Sequence, residues 1–365
     1  MNSNVNVELI LTQRCNFRCK YCYEKCKGYE NQDMSQEVLD KALLYVDTFL
    51  KKREQNIVID FWGGEPSLRP DIINYVCDKY INNPRVSFSL FTNGYNLDPI
   101  WDTIVECNKI QEFKFPIQVS YDYATQNKRV LKGGKDTSED VLKTIKKLHD
   151  SDINFHTKST LMYDDLDKIE EIYDNFCSVY DDLEKVKPAR MPSLILTSDT
   201  MAIWDKTEEE FDEKFELFKK QLKNIVKKNL KRQRDFSWLH PAPKPFCGAG
   251  QSMFCVNIDG MVYNCHGAIF LNNKEEHIRG NILNFNENSH LMKYFLDFTL
   301  KEIDEECKKC DSNYCMRCSV HVFPTSKKTS YEEKWFNYSN REKHCRIQKE
   351  ISKHMIAYNK ILNGK

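Results

Sequence analysis

The strongest constraint on this chain is a rhythm. Six times, a short segment rich in branched and aromatic residues precedes a longer one with apolar residues at helical spacing. VNVELILT (5–12) predicts a strand, and 35–53 predicts a helix with Ser35 as its N-cap. The pairs continue as 56–62 with 71–81, 85–92 with 98–108, 115–121 with 138–150, 154–161 with 165–180, and 193–197 with 207–231. Repeated β-α units imply parallel strands joined by right-handed crossovers. An open or partial barrel and a doubly wound sheet both satisfy the pattern. In either, functional residues belong at the C-terminal ends of the strands. The last helix opens with TEEEFDEKFE and closes with KKQLKNIVKKNLKRQR. Acid first and base last is the order a helix dipole favours, so a solvated helix explains it. FSWLHPAPKPF (236–246) cannot continue a helix and predicts a boundary, with domains at 1–235 and 236–365.

Lys+Arg and Asp+Glu balance at 54 each, so bulk charge offers nothing to nucleic acid. No apolar run approaches a membrane span, and MNSNVNVELI lacks the features of a signal peptide, so a cytoplasmic location is expected. In a reducing compartment, 15 cysteines are unexpected as a disulfide framework. Their placement is uneven: four lie within 15–26 and eight within 247–345. Clustered thiols in such a chain point to metal or iron–sulfur binding. Cys77, Cys107 and Cys177 follow apolar helix residues and read as small buried groups. Cys26 reads as an idle thiol on a first helical turn or as an extra ligand.

LTQRCNFRCKYCYEK (11–25) places Cys15, Cys19 and Cys22 in a C-x3-C-x2-C spacing directly after the first strand. Three thiolates can hold three irons of a four-iron cluster and leave the fourth iron open. Zinc would want four protein ligands, and a ferredoxin a fourth cysteine. With Tyr21 before the last cysteine, the loop resembles the signature of radical S-adenosylmethionine (SAM) enzymes. FWGGEP (61–66), FTNG (91–94), VSYD (119–122) and Arg129 in ATQNKRV resemble further motifs of that family, in order along the chain. The resemblance implies a [4Fe-4S] cluster on Cys15, Cys19 and Cys22 whose open iron chelates SAM. Reductive cleavage of SAM then gives a radical that takes a hydrogen atom from substrate. It further implies SAM contacts from Tyr21, Gly63, Gly64, Glu65, Thr92, Asn93, Ser120, Asp122 and Arg129. Tyr21 would lie near the adenine, Ser120 and Asp122 near the ribose hydroxyls, and Arg129 near the methionine carboxylate. Ser120 and Asp122 also suit an ordinary strand-end turn.

The later cysteines run CGAGQSMFCVNIDGMVYNC (247–265), CKKCDSNYCMRC (307–318) and Cys345. CVNIDGMVY predicts a hairpin turning at Asp259-Gly260, which brings Cys255 and Cys265 to one end. The set resembles the SPASM extension of radical SAM enzymes that modify peptides and proteins, with two spacings each one residue short. That resemblance implies two auxiliary [4Fe-4S] clusters, one on Cys247, Cys255, Cys265 and Cys318 and one on Cys307, Cys310, Cys315 and Cys345. Zinc knuckles are the alternative for the C-x2-C pairs.

The expected fold is therefore α/β, a partial (β/α)6 barrel of the radical SAM type followed by a small cysteine-rich α+β iron–sulfur domain. The expected cofactors are three [4Fe-4S] clusters and SAM. The expected partners are a peptide or protein substrate and an external one-electron reductant of the flavodoxin or ferredoxin type, with neither nucleic acid nor membrane. The expected reaction oxidises or cross-links a side chain of a ribosomally made peptide. Alternatives are an anaerobic sulfatase-maturating enzyme, which makes formylglycine, and an electron carrier without SAM chemistry. His266 follows Cys265 where sulfatase-maturating enzymes carry an aspartate. It reads as a base or equally as a satisfied polar residue at a strand end.

Overall fold

A computed structural model describes residues 4–22, 31–111, 114–184, 194–198, 207–232, 248–250, 252–270, 274–286, 291, 309, 310, 312 and 338–362. Cys26, the 236–246 boundary, Cys247, Cys307, Cys315 and Cys318 lie outside the described residues.

The six predicted units form in order. They are β1 Val5–Thr12 and α1 Gln36–Lys52, β2 Ile57–Gly63 and α2 Pro70–Tyr80, and β3 Val86–Thr92 and α3 Trp101–Ile110. Then come β4 Ile117–Ser120 and α4 Ser138–Asp150, β5 Phe155–Leu161 and α5 Ile169–Glu184, and β6 Leu194–Ser198 and α6 Glu208–Arg232. Ser35 caps α1 by accepting from the Val38 N–H at 3.3 Å. The main departures from prediction fall at strand ends, where tight helical turns intervene. α3 starts at Trp101 because 98–100, with Pro99, forms such a turn. α5 starts at Ile169 because Tyr163–Asp165 turns first, with the Asp165 carboxylate accepting the Met162 N–H at 2.7 Å.

The strand order is β6-β5-β4-β3-β2-β1, continued by β7 Met253–Val256, β8 Met261–Tyr263 and β9 Ile278–Asn281. Sequential neighbours joined by right-handed crossovers place every helix on one face of the sheet, whereas a doubly wound sheet reverses its order midway. The partial barrel is the alternative that forms. β7 pairs parallel with β1, and β8 and β9 add antiparallel strands beyond it. The hairpin turns at Asp259-Gly260, with Gly260 at φ +81°.

Alternation sorts the strands into two faces. Val7, Leu9, Ile59, Phe61, Phe88, Leu90, Ile117 and Val119 are buried on the helix side, each at most 1% exposed. Cys77, Cys107 and Cys177 are buried in the same layer and act there as small apolar groups. The other face carries Asn6, Glu8, Asp60, Trp62, Ser89 and Phe91 and becomes the barrel interior. A seventh helix, α7 Tyr338–Leu362, packs on α6. Arg346 bonds Asp212 at 2.5 Å, and Asn229 donates to the Tyr358 hydroxyl at 2.6 Å. No described helix is long and apolar enough to cross a membrane.

Candidate active site

The cysteine loop leaves the C-terminal end of β1 and is braced by backbone hydrogen bonds. The Arg18 N–H donates to Val130 C=O at 2.8 Å, the Lys20 N–H to Lys128 C=O at 2.9 Å, and the Lys132 N–H to Asn16 C=O at 2.7 Å. Phe17 and Leu131 form an antiparallel bridge. The segment after VSYD thus acts as a clamp on the loop. Among the described residues, no group of three or more ligating side chains is already gathered as a metal site. The three thiols nevertheless feel one another. Burial pushes the Cys15 thiol well above the ordinary thiol range, and Glu65, Cys19 and Cys22 push it further, against the Phe17 N–H that donates to its sulfur. A thiol held this way ionises only when a cation joins it, and an iron cluster meets that requirement.

The GGEP and TNG segments lock against this loop. A Cβ at Gly63 would lie 2.3 Å from Thr12 O, and one at Gly64 would lie 2.5 Å from Arg14 O. Gly63 and Gly64 are therefore required by the approach of the cysteine loop itself. The Gly64 N–H donates to Thr12 C=O at 2.8 Å and the Glu65 N–H to Arg14 C=O at 2.9 Å. The buried Glu65 carboxylate accepts from Thr92 Oγ1 at 2.7 Å, the Asn93 N–H at 2.7 Å and the Ser67 N–H at 3.1 Å. Burial raises its carboxyl above the ordinary value, and those three donors offset part of the rise. Asn93 in turn donates to Asn16 Oδ1 at 2.8 Å and lies 4.0 Å from the Cys15 sulfur. Glu65, Thr92 and Asn93 thus tie three strand ends into one floor.

Tyr21, Asp122 and Arg129 meet on the opposite side. The Tyr21 hydroxyl donates to Asp122 Oδ2 at 2.8 Å and accepts from Arg129 Nη1. The Arg129 guanidinium is 6% exposed and stacks near Tyr21 and Phe17, 5.8 Å from each ring centre. Its Nε–H is buried with no partner among the described residues, as a site for an anionic group requires. Ser120, half-buried, ends β4 beside this group. Lys128, which sequence reasoning passed over, is buried against Asp165 and donates to Thr160 C=O at 2.6 Å. The residues present fit SAM and a cluster, with an unfilled cationic donor beside three cysteines on a braced loop.

A second polar group lies inside the barrel. The Glu8 carboxylate, 1% exposed, accepts the His266 N–H at 2.6 Å and faces His266 Nδ1 at 2.8 Å. A carboxylate only accepts, so Nδ1–H is the donor in this pair. The imidazole stacks on Trp62 with ring centres 3.7 Å apart, and Trp62 stacks on Phe91 at 3.9 Å. Below them Asp60 accepts from Asn6 Nδ2 at 2.8 Å and from the Ser89 hydroxyl. The sequence held a signal for this set, because Asn6, Glu8, Asp60 and Ser89 alternate with apolar residues along three strands. Cys255 pairs with Tyr263 across the hairpin, and Cys265 is buried just before His266. Cys310 is half-buried, as is Cys345 on α7.

Residues 9–176 match the Radical SAM superfamily. A radical SAM cyclopropyl synthase, TigE of Paramaledivibacter caminithermalis, is 24% identical over 48% of this chain and 39% of its own length, so the match spans less than half of that relative. A cysteine-type anaerobic sulfatase-maturating enzyme of Clostridium novyi is 24% identical over 82% of this chain and 83% of its own. The solved structure of native anSMEcpe with bound AdoMet and the Cp18Cys peptide superposes with a TM-score of 0.66 over 99% of both chains, at 19% identity, which is likeness of fold. The chain carries a radical SAM domain.

Proposed function

We propose that this chain is a radical SAM enzyme of the SPASM type that oxidises or cross-links a side chain of a ribosomally made peptide, through a thioether or carbon–carbon bond, with electrons from an external flavodoxin or ferredoxin. The observation that carries the reading is the parallel pairing of β7 with β1. It sets β7, which bears Cys255, beside the strand that delivers Cys15, Cys19 and Cys22, and β8, paired to the far side of β7, leads into Cys265-His266. When bound, the cluster and SAM supply a radical able to take a hydrogen atom from substrate. The chain's own residues do the rest. The cysteine loop, braced by residues 128–132 and by Gly63 and Gly64, holds the ligands. Arg129 presents a guanidinium edge to the SAM carboxylate. His266, oriented by Glu8, offers Nε2 inside the barrel to a substrate proton. The Trp62 and Phe91 rings keep the imidazole in place and keep water from its stacked face.

Cluster content tests the SPASM part of this reading. Anaerobically reconstituted chain should hold about twelve irons, as three four-iron clusters. Cys345→Ala should lower iron by about four and impair product formation more than SAM cleavage, because the SAM residues lie elsewhere. A soluble Cys345→Ala chain with full iron would remove Cys345 from the ligand set.

Sulfatase maturation is the second reading, favoured by the Clostridium novyi relative that aligns along most of its length. Here His266 stands where the resemblance to that family calls for aspartate. A sulfatase-derived cysteine peptide should therefore be a poor substrate, with SAM cleavage far exceeding formylglycine by mass spectrometry. If formylglycine forms in step with SAM cleavage, the second reading replaces the first.

A further inference from the structure

VSYD resembles a motif expected to face the SAM ribose, yet its aspartate is 0% exposed. Both carboxylate oxygens are engaged within the chain. Oδ1 accepts the Thr160 N–H at 2.8 Å. Oδ2 accepts the Tyr21 hydroxyl at 2.8 Å and lies 3.7 Å from Lys128 Nζ. The backbone of Asp122 is fixed as well, its N–H donating to Gln126 Oε1 at 2.8 Å and its C=O accepting from the Thr125 hydroxyl at 3.0 Å. Lys128 completes the group by its ion pair with Asp165. Two carboxylates and two cations, with Arg129 on the far side of Tyr21, balance in charge within the buried network.

This arrangement joins three pieces of chain. Thr160 is at the end of β5, Asp122 at the end of β4, and Tyr21 between two of the three N-terminal cysteines. The residues that follow Asp122 are those whose backbone clamps residues 16–20. A buried carboxylate with these donors has no lone pair turned to solvent for a ribose hydroxyl, while its loss would free Tyr21 and Lys128 together.

We propose, resting on the radical SAM reading above, that Asp122 is a positioning residue, which holds Tyr21 and the Arg129 guanidinium against the cysteine loop and does not itself read the ribose hydroxyls of SAM. Tyr21 passes the constraint on, because its one hydroxyl donates to Asp122 and accepts from Arg129. Arg129 then has its free Nε–H edge fixed in direction.

Equilibrium binding of SAM and of its 2′-deoxy and 3′-deoxy analogues to the oxidised, anaerobic holoenzyme tests this. Asp122→Asn should weaken all three ligands by the same factor, of order tenfold. The cost of deleting either hydroxyl should therefore be as large in the variant as in the wild type. Tyr21→Phe should weaken SAM comparably, and the double variant should be little worse than either single one. If the hydroxyl cost vanishes in Asp122→Asn, or the two single losses add, Asp122 contacts the cofactor and the proposal is overturned. Amide hydrogen exchange on the same proteins reads the positioning without SAM. Residues 15–22 and 128–132 should exchange about tenfold faster in Asp122→Asn, and β1 and β2 should not change. Unchanged exchange in the loop, or equal acceleration everywhere, overturns it. Should Asp122→Asn fail to fold, Tyr21→Phe cuts the same link from the other side and is read by the same two measurements. A wild-type chain that binds no SAM refutes the radical SAM reading instead, and the exchange pattern still decides the role of Asp122.

Discussion

Replacing Cys15, Cys19 and Cys22 together by alanine should remove about four irons and lower reductive SAM cleavage by at least a thousandfold, to the buffer background. The loss is expected to be chemical rather than structural. The loop that carries the thiols is held by its backbone pairing with residues 128–132, by the Phe17–Leu131 bridge and by the contacts of Gly63 and Gly64. None of these uses a sulfur atom. The metal-free triple variant should therefore melt close to the metal-free wild type. Iron analysis, 5′-deoxyadenosine by chromatography and a thermal scan separate the three quantities. Cleavage that survives in the triple variant would rule out these cysteines as the SAM-bearing ligands. A collapsed melting point with normal iron would make the thiols structural.

The barrel was legible because its signal is local. Each strand has an apolar line on the helix side, each helix has a 3.6-residue period, and the motifs fall where strands end. The order of β1 to β6 did not follow from the pattern, because right-handed crossovers also allow a doubly wound sheet, and the partial barrel was implied only by the resemblance to radical SAM enzymes. The attachment of β7 to β1 was not legible, since four residues, Met253–Val256, pair with a strand some 250 positions away and nothing local specifies the partner. The same limit hid the inner group. Asn6, Glu8, Asp60 and Ser89 stood as polar residues in strands of a parallel sheet, which are usually apolar on both faces. That conflict pointed to a polar interior, but only the fold brings His266 to Glu8. The resemblance gave Gly63 and Gly64 as SAM contacts, and it did not show that Thr12 and Arg14 press against them from the end of β1 and the cysteine loop.

Asp60 should make this protein lose stability as pH rises, and Asp60→Asn should abolish that loss. Asp60 is 2% exposed, between Asn6 on one neighbouring strand and Ser89 on the other. Burial pushes its carboxyl from 3.8 up to about 7; the Ser89 and Asn6 hydrogen bonds pull down against this, Glu8 adds to the rise and His266 opposes it. A raised carboxyl prefers the neutral form in the fold. Below the ordinary value of 3.8 both folded and unfolded chains are protonated there, and Asp60 costs nothing. Between 3.8 and about 7 the unfolded chain ionises freely while the folded chain does so only against burial, so the penalty grows. Above the folded value it is complete, at roughly 4 kcal/mol. Asparagine fits the same place without titrating: its oxygen accepts from Asn6 Nδ2 and its amide donates to the Ser89 oxygen, as the protonated acid does. The variant should match the wild type near pH 4 and exceed it increasingly up to pH 7. Beyond that the advantage should stay level, visible as several degrees in the thermal midpoint. Urea unfolding at pH 5 and pH 8 checks the same difference at constant temperature. An advantage independent of pH would mean that Asp60 is not the group that titrates. A variant that falls further behind as pH rises would mean that the interior of this barrel holds Asp60 ionised, with a cation or donor beside it that raises the value of its charge above the cost of burying it.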